Sequence, residues 1–251
     1  MLLVELSPFQ YGFAFFAFFL GGLVKGTIGI GMKAIILGLI ATVIELPVAI
    51  ALLIVPGIAA NAWQVFSEPG LLNTIKRIWT VLLACCIGVW IGAGVLVVVD
   101  TRLLTIGLGV LLTLFASYAL LTPQIPSPGR HEHWMSPVFG GLNGLAAGMT
   151  GSDVIPGVPY LQSLGLKRDR LVQAMGLLFL TASLAITLAF QQKGLLSQEL
   201  AVSSVMFTIP ALIGYYIGAK VRQSIPEDRF RLFLLYSLLL LGLYIVIRKI
   251  L

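Results

Sequence analysis

Long runs of apolar residues, interrupted by short polar stretches, extend over most of this sequence. Six of these runs are long enough to cross a hydrocarbon core of about 30 Å at about 1.5 Å per helical residue. They cover residues 47–66, 79–99, 103–121, 171–190, 200–219 and 230–247. The pattern therefore predicts an all-α polytopic membrane protein.

Two further apolar regions are rich in glycine and proline. The first, 9–44, contains GTIGIG at 26–31, and the second, 138–166, contains GMTGSDVIPGVP at 148–159. Glycine and proline at this density interrupt a helix, and a broken backbone at membrane depth is tolerated only where it is buried in protein or lines a wet cavity. Each region is predicted to be a broken helix or a re-entrant pair. Two breaks at equivalent places indicate a transport site, and the alternative is two kinked helices without a site.

The second half of the chain repeats the first. A shift of 122 aligns three glycines of each half: Gly22, Gly26 and Gly29 with Gly144, Gly148 and Gly151. A shift of 126 aligns GVWIG at 88–92 with GYYIG at 214–218, and these GxxxG sites are interpreted as points of close helix approach. We expect a tandem duplication, with a first repeat over 1–122, a central cytoplasmic loop over 123–136 and a second repeat over 137–251. Each repeat is predicted to add three full transmembrane helices to its glycine-rich region.

Composition excludes an ordinary soluble protein. Of the 251 residues, 59% are hydrophobic, and there are 16 Lys+Arg and 10 Asp+Glu, whereas roughly 25% of the residues in a soluble domain are charged. The net charge of +6 is attributed to basic loops that set membrane orientation, not to a nucleic-acid partner. The expected location is therefore the cell inner or plasma membrane, which the chain crosses several times.

Basic residues divide unequally between the two ends of the predicted helices. One end carries four of them: Arg102, Lys193, Arg248 and Lys249. The other end carries the larger group: Lys76, Arg77, Arg130, Lys167, Arg168, Arg170, Lys220, Arg222, Arg229 and Arg231. The larger group is predicted to be cytoplasmic, with both termini outside. Each glycine-rich region is expected to cross twice or to dip in and return, so each half makes an odd number of crossings and the two repeats are predicted to be inverted. The alternative, a single crossing by each glycine-rich region, would make the repeats parallel.

Three ionisable residues lie at or beside the two breaks: Lys25, Lys33 and Asp153. Such groups at membrane depth are costly and are usually functional or paired. Lys25, close to helix N-termini, is a candidate anion ligand, and Asp153 and Lys33 are candidate coupling or counter-charge groups. The alternatives are snorkelling for the lysines and a helix cap or a salt bridge for Asp153. We expect Lys25 and Asp153 to meet at one cavity, where an anion would compete with Asp153 for the lysine.

Uncharged polar residues complete the candidate substrate site. Asn61 and Gln64 share one helix face because they are three positions apart, and Gln173 is the comparable isolated amide of the second half. We expect Asn61 and Gln64 to face the central cavity, and the alternative role of each amide is an interhelical hydrogen bond. The remaining candidate ligands lie within the breaks: Thr27, Gly29, Thr150, Gly151 and Ser152.

Enzyme motifs are missing from the sequence, which has no HExxH, GxSxG or P-loop pattern. His131, Glu132 and His133 are interpreted as a solvated loop and not as metal ligands. No cofactor is predicted.

Three motifs together resemble the sulfite exporter TauE/SafE family of membrane permeases. They are GGLVKGTIGIG at 21–31, the P-x4-N-x-W-Q run from Pro56 to Gln64, and GMTGSDVIPGVPYLQSLGL at 148–166. The resemblance covers nearly the whole chain and implies the movement of sulfur-containing anions such as sulfite, sulfonates and sulfoacetate, generally out of the cell. Many members have a run of glycines after the second break, where this chain has Ser152 and Asp153, which suggests proton coupling.

The predicted function is therefore a secondary transporter, an exporter, that moves a small sulfur-containing anion and is coupled to an ion gradient. A passive anion channel and a non-transporting membrane scaffold are the alternatives. A homodimer is compatible with the GxxxG faces, which serve contacts within and between molecules alike.

Overall fold

The computed structural model describes residues 6–28, 31–66, 69–121, 126–221 and 227–250, and every regular element in these ranges is helical. The α-helices in chain order are α1 (Pro8–Ile28), α2 (Met32–Ile40), α3 (Leu46–Leu52), α4 (Ile54–Phe66), α5 (Leu71–Val98), α6 (Thr101–Leu121), α7 (Glu132–Thr150), α8 (Gly157–Ser163), α9 (Arg168–Gln192), α10 (Gln198–Val221) and α11 (Glu227–Ile250). Among the described residues, five helices are long and apolar enough to cross a membrane, and the bent pair α3–α4 makes a sixth. The chain is thus an all-helical, multi-pass membrane protein.

Two helices begin earlier than the apolar pattern predicts. α5 begins at Leu71 instead of 79, and α7 begins at Glu132, inside the segment predicted to be the central loop. α5 has 28 residues, about 42 Å at 1.5 Å per residue, so its end extends beyond a hydrocarbon core of about 30 Å. Its first two turns contain Lys76 and Arg77, and hydropathy does not mark polar turns of this kind as part of a span.

The prediction of one unbroken helix over 47–66 is wrong, because this segment is divided into α3 and α4, which are bent by 46°. Pro56 explains the break, since proline has no N–H to donate to the carbonyl of Leu52 four residues earlier. Ser204 of α10 occupies the gap: its hydroxyl donates to the Leu52 carbonyl at 2.8 Å and accepts from the Val55 N–H at 3.0 Å. A side chain from the second half therefore stabilises a bend in the first.

Both predicted breaks are present. α1 ends at Ile28, and Gly31, with φ 92°, precedes α2. α7 ends at Thr150, Gly151 has φ 75°, and α8 begins at Gly157. Glycine adopts this left-handed conformation without the steric cost that other residues incur. Each half thus contains one long and one short helix joined at a glycine-rich break.

Helices from opposite halves contact each other closely: α1 packs against α10, and α5 packs against α7. A Cβ on Gly22 would lie 2.0 Å from the Ala211 carbonyl oxygen, and one on Gly144 would lie 2.1 Å from the Cys85 carbonyl oxygen. Seven other glycines meet the facing backbone about as closely: Gly26, Gly88, Gly92, Gly140, Gly148, Gly214 and Gly218. The interpretation of the GxxxG sites as close helix contacts is confirmed. Gly26 and Gly148, predicted to help break their helices, instead lie inside α1 and α7 and serve the same contacts.

Hydrogen bonds and an ion pair show which of the basic residues lie near each end of α5. At its first end, Arg77 forms a two-bonded ion pair with Glu132 at the start of α7. Beyond its last turn, where α6 begins, Arg102 donates to the carbonyl of Lys249 at 2.5 Å. Arg77 therefore lies at one end of the helices, and Arg102 and Lys249 lie at the other. This is the division that the sequence predicts for these three residues.

Candidate functional site

Lys25, in the last turn of α1, is buried and does not extend to the surface. Its ammonium donates to Oδ1 of Asn61 on α4 at 2.5 Å, and both side chains are at least nine-tenths buried. Among the described residues no carboxylate forms an ion pair with Lys25. A neutral amide therefore holds this buried amine, and a protonated Lys25 has no carboxylate partner among the described residues.

Lys33, in the first turn of α2, forms a buried ion pair with Asp153 in the second break. Its ammonium also donates to the Ser183 hydroxyl of α9 at 3.0 Å, and that hydroxyl donates in turn to the Phe179 carbonyl at 2.7 Å. This pair joins the two breaks directly. Asp153 therefore forms its ion pair with Lys33 and not with Lys25. The expected competition between an anion and Asp153 for Lys25 stays a prediction.

Lys25, Lys33, Asn61 and Asp153 all line one cavity, bordered also by Gly31, Met32, Gly57, Val154 and Phe179. Lys25 and Asp153 therefore do adjoin the same cavity, although they do not form an ion pair with each other. Lys33 also lines a second cavity. Its lining is mostly apolar: Leu37, Ile50, Leu53, Ile54, Gly151, Ser183 and Ile186. Lys33 is the residue that the two cavities share.

Gln64 and Gln173 make a reciprocal contact where α4 crosses α9. Nε2 of Gln64 donates to the Val172 carbonyl at 2.8 Å, and Nε2 of Gln173 donates to the Val65 carbonyl at 3.1 Å. The Thr74 hydroxyl also donates to Oε1 of Gln173 at 2.6 Å. Neither amide lines the two cavities around Lys33. Both thus occupy interhelical hydrogen bonds in this conformation, and their role as substrate ligands stays a prediction.

Of the remaining candidates, Thr27 lies in the last turn of α1, Thr150 is the last residue of α7, and Gly151 and Ser152 lie in the second break. The Thr27 hydroxyl donates to the carbonyls of Leu23 and Val24, and the Thr150 hydroxyl donates to that of Ala146. Gly151 lines the second cavity, and Ser152 is buried, with its N–H donating to the Thr150 hydroxyl at 3.3 Å. Gly29 lies outside the described residues. The carboxylate of Glu132, taken from the sequence as part of a solvated loop, is bound by Arg77.

Ser183 is the polar residue of this site that the sequence did not single out. A signal for it existed, because the shift of 122 that relates the two halves aligns Asn61 with Ser183. Asn61 accepts a hydrogen bond from Lys25, and Ser183 accepts one from Lys33. The equivalent positions of the two repeats thus hold the two lysines.

Comparison with known proteins adds one finding. The family model for the sulfite exporter TauE/SafE matches residues 14–245. No curated protein matches the chain, and no solved structure does. The family match includes both breaks and all of the candidate ligands.

Proposed function

Since the chain belongs to the sulfite exporter TauE/SafE family, we propose that it is a secondary transporter that exports small sulfur-containing anions such as sulfite or organosulfonates. Members of this family are membrane transporters and not enzymes. The observation that carries the proposal is the buried ammonium of Lys25, held by Asn61 at the wall of a cavity beside both breaks. A sulfur oxyanion carries a negative charge and several acceptor oxygens. The Lys25 ammonium can attract that charge and donate hydrogen bonds to those oxygens.

Substrate access in this proposal alternates around Lys33. Two cavities adjoin Lys33, and its bonds to Asp153 and Ser183 connect α2 with the second break and with α9. Breaking the bonds that Lys33 makes with Asp153 and Ser183 would join the two cavities to each other. Protonation of Asp153 would release Lys33 toward the anion, and that step would couple transport to a proton gradient. Asp153 and Lys33 thus act as coupling groups, and Lys25 and Asn61 act as substrate ligands.

The proposed topology is an inverted repeat. In its support, Gln10 near the start of α1 donates to the Val43 carbonyl beyond the end of α2 at 2.9 Å. Tyr160 of α8 likewise donates to the carbonyl of Glu132, the first residue of α7, at 3.3 Å. Each broken pair therefore returns toward the end from which it started. Arg248, at the same end as Lys249, donates to the Thr42 carbonyl, so the first pair starts at the end opposite Arg77 and Glu132.

Cysteine accessibility tests this topology. Single cysteines at Arg130 and Lys193, in a background without Cys85 and Cys86, are expected to react with an impermeant reagent from opposite sides of the membrane. Reaction of both from the same side would contradict the inverted repeat.

Flux into proteoliposomes tests the function. The purified chain is expected to move sulfite and short organosulfonates with saturable kinetics that an uncoupler slows. Lys25→Met should lower this flux by about tenfold or more, because it removes the charge that binds the anion. Lys76→Met, which removes an exposed lysine of α5, is the matched control. Flux that neither saturates nor responds to an uncoupler would instead indicate a passive channel, and no flux of any sulfur anion would favour a scaffold.

A further inference from the structure

The ionisable side chains around the cavity that Lys25 and Asn61 line do not balance in charge. Lys33 and Asp153 form an ion pair, so that their charges cancel. Lys25 is held by the amide of Asn61, which carries no charge. With the lysines protonated and Asp153 ionised, the part of the cavity wall that the structure describes carries one uncompensated positive charge.

A buried site of this kind discriminates ligands by their charge. An uncompensated charge in a poorly solvated site is costly, and removing one partner of a buried pair is strongly unfavourable. A ligand with one negative charge brings the summed charge of the ligand and the cavity wall to zero. A dianion leaves one negative charge unmatched, and a neutral ligand leaves the lysine unmatched.

We propose that this cavity selects monoanions, so that sulfonates with one negative charge and hydrogensulfite are its substrates, and dianions such as sulfate or sulfoacetate are rejected unless Asp153 takes up a proton. This inference rests on the proposed function, in that it takes the cavity around Lys25 to be the anion site. Asp153 then sets the charge of the substrate by cancelling the charge of Lys33. Lys25 supplies the charge that the substrate meets.

Binding to the full chain in lipid nanodiscs tests the proposal with three tetrahedral sulfur compounds: methanesulfonate, a monoanion, sulfate, a dianion, and dimethyl sulfone, which is neutral. Calorimetry at constant ionic strength and slightly acidic pH keeps the lysines protonated and both anions in these charge states. The chain should bind methanesulfonate about tenfold or more tightly than sulfate, since charges in contact interact strongly away from bulk water. Dimethyl sulfone should not bind measurably.

Charge variants sharpen the test. Asp153→Asn leaves both lysines unmatched and should shift the ratio of the two affinities toward sulfate by about tenfold or more. The double variant Lys33→Met with Asp153→Asn removes both members of the pair, restores a sum of one positive charge, and should regain the preference for methanesulfonate. Glu132→Gln, which removes the carboxylate of the ion pair with Arg77, is the matched control and should leave the ratio unchanged.

Two results would overturn the proposal. One is a wild-type affinity for sulfate equal to or above that for methanesulfonate. The other is a ratio that Asp153→Asn leaves at the wild-type value. If Asp153→Asn does not fold, Lys33→Met takes its place: it brings the sum to zero and should weaken methanesulfonate binding by about tenfold, while the double variant retains it.

The flux assay separates this failure from failure of the proposed function. Sulfonate flux that depends on Lys25, together with no charge preference, would reject charge selection and retain the transporter. Absence of both binding and flux would reject both.

Discussion

The span that follows the first break consists of two helices bent by 46°, whereas the equivalent span of the second half, α9, is one continuous helix of 25 residues. The helices that pack against these two spans, α10 and α5, differ at the corresponding position. Ser204 of α10 bonds the exposed backbone of the bend, and the shift of 126 aligns it with Ile78 of α5, a fully buried apolar residue. A hydroxyl is needed where Pro56 leaves a carbonyl without its donor, and an apolar side chain suffices beside a continuous helix. The duplicated fold thus tolerates a local change when the other half supplies the compensating side chain.

The breaks of the two halves carry different charged residues, whereas the long helices beside them pack in the same way. Two lysines flank the first break, and Asp153 lies in the second. By contrast, the glycine contacts of α1 with α10 and of α5 with α7 have the same form. The comparison indicates that the close helix contacts are common to both repeats, while the charged site depends on their difference. Four substitution experiments test this division.

The largest effect is expected at the shared contacts. Gly22→Val and Gly144→Val should each abolish the folded protein, because a side chain cannot fit 2.0 Å or 2.1 Å from a facing carbonyl oxygen. Gly12→Val is the control, since no atom lies within 4 Å of a Cβ at Gly12. The measurement is the yield of monodisperse protein on size-exclusion chromatography. A normal yield for one of the two variants alone would show that the two contacts are not equivalent.

The buried ion pair should give the next largest effect. Lys33→Met and Asp153→Asn should each lower the free energy of unfolding by about 3–5 kcal/mol, because each leaves a buried charge without its partner. The double variant should be more stable than either single variant. Glu132→Gln, at a more exposed pair, should cost about 0–1 kcal/mol. Thermal unfolding in detergent provides the comparison, and a double variant less stable than both single variants would contradict it.

Ser204→Ala should destabilise the protein by about 1–3 kcal/mol, because the Leu52 carbonyl and the Val55 N–H lose their partner. Pro56→Ala restores an N–H at the bend, so the loss caused by Ser204→Ala should be smaller in the Pro56→Ala background. A double-mutant cycle on unfolding free energies measures this coupling. Additive effects would show that Ser204 does not compensate for Pro56.

The smallest effect is expected at the crossing of α4 and α9. Gln64→Leu should cost about 0.6 kcal/mol, a typical value for one interhelical hydrogen bond in a membrane. Gln173→Leu should cost more, because Gln173 also accepts a hydrogen bond from Thr74. Unfolding and sulfonate flux are measured on the same preparations. Loss of flux with little loss of stability would assign Gln64 a role in substrate binding, and retained flux would leave it with the interhelical bond alone.

The sequence predicts most of the fold because continuous apolar runs fix where helices cross the bilayer. It also identifies Lys25, Lys33 and Asp153, since a charge within an apolar run stands out. The sequence does not identify the residues with which these three side chains pair. Lys25 and Asn61 are 36 positions apart, and Lys33 and Asp153 are 120 apart, whereas spacing reveals only residues on one face of one helix.

The bend and its partner are harder to read from the sequence. Proline occurs in transmembrane helices without always dividing them, because neighbouring groups can satisfy the freed carbonyl. Pro210 lies inside α10, which remains one helix, whereas Pro56 accompanies a division. Ser204 is one of several small hydroxyl residues in the second half, and only the location of the unsatisfied carbonyl distinguishes it.

The pairing of α1 with α10 has a consequence for how the protein is made. α1 leaves the ribosome well before α10, because the helix that covers its glycine face begins about 170 residues after α1 ends. At about 5–20 residues per second, α1 waits roughly 10–30 s for α10. During that interval its exposed backbone face is a target for membrane chaperones and quality-control proteases. Pairing of these two helices is therefore expected only after α10 has been synthesised, and truncated chains that lack α10 should be degraded.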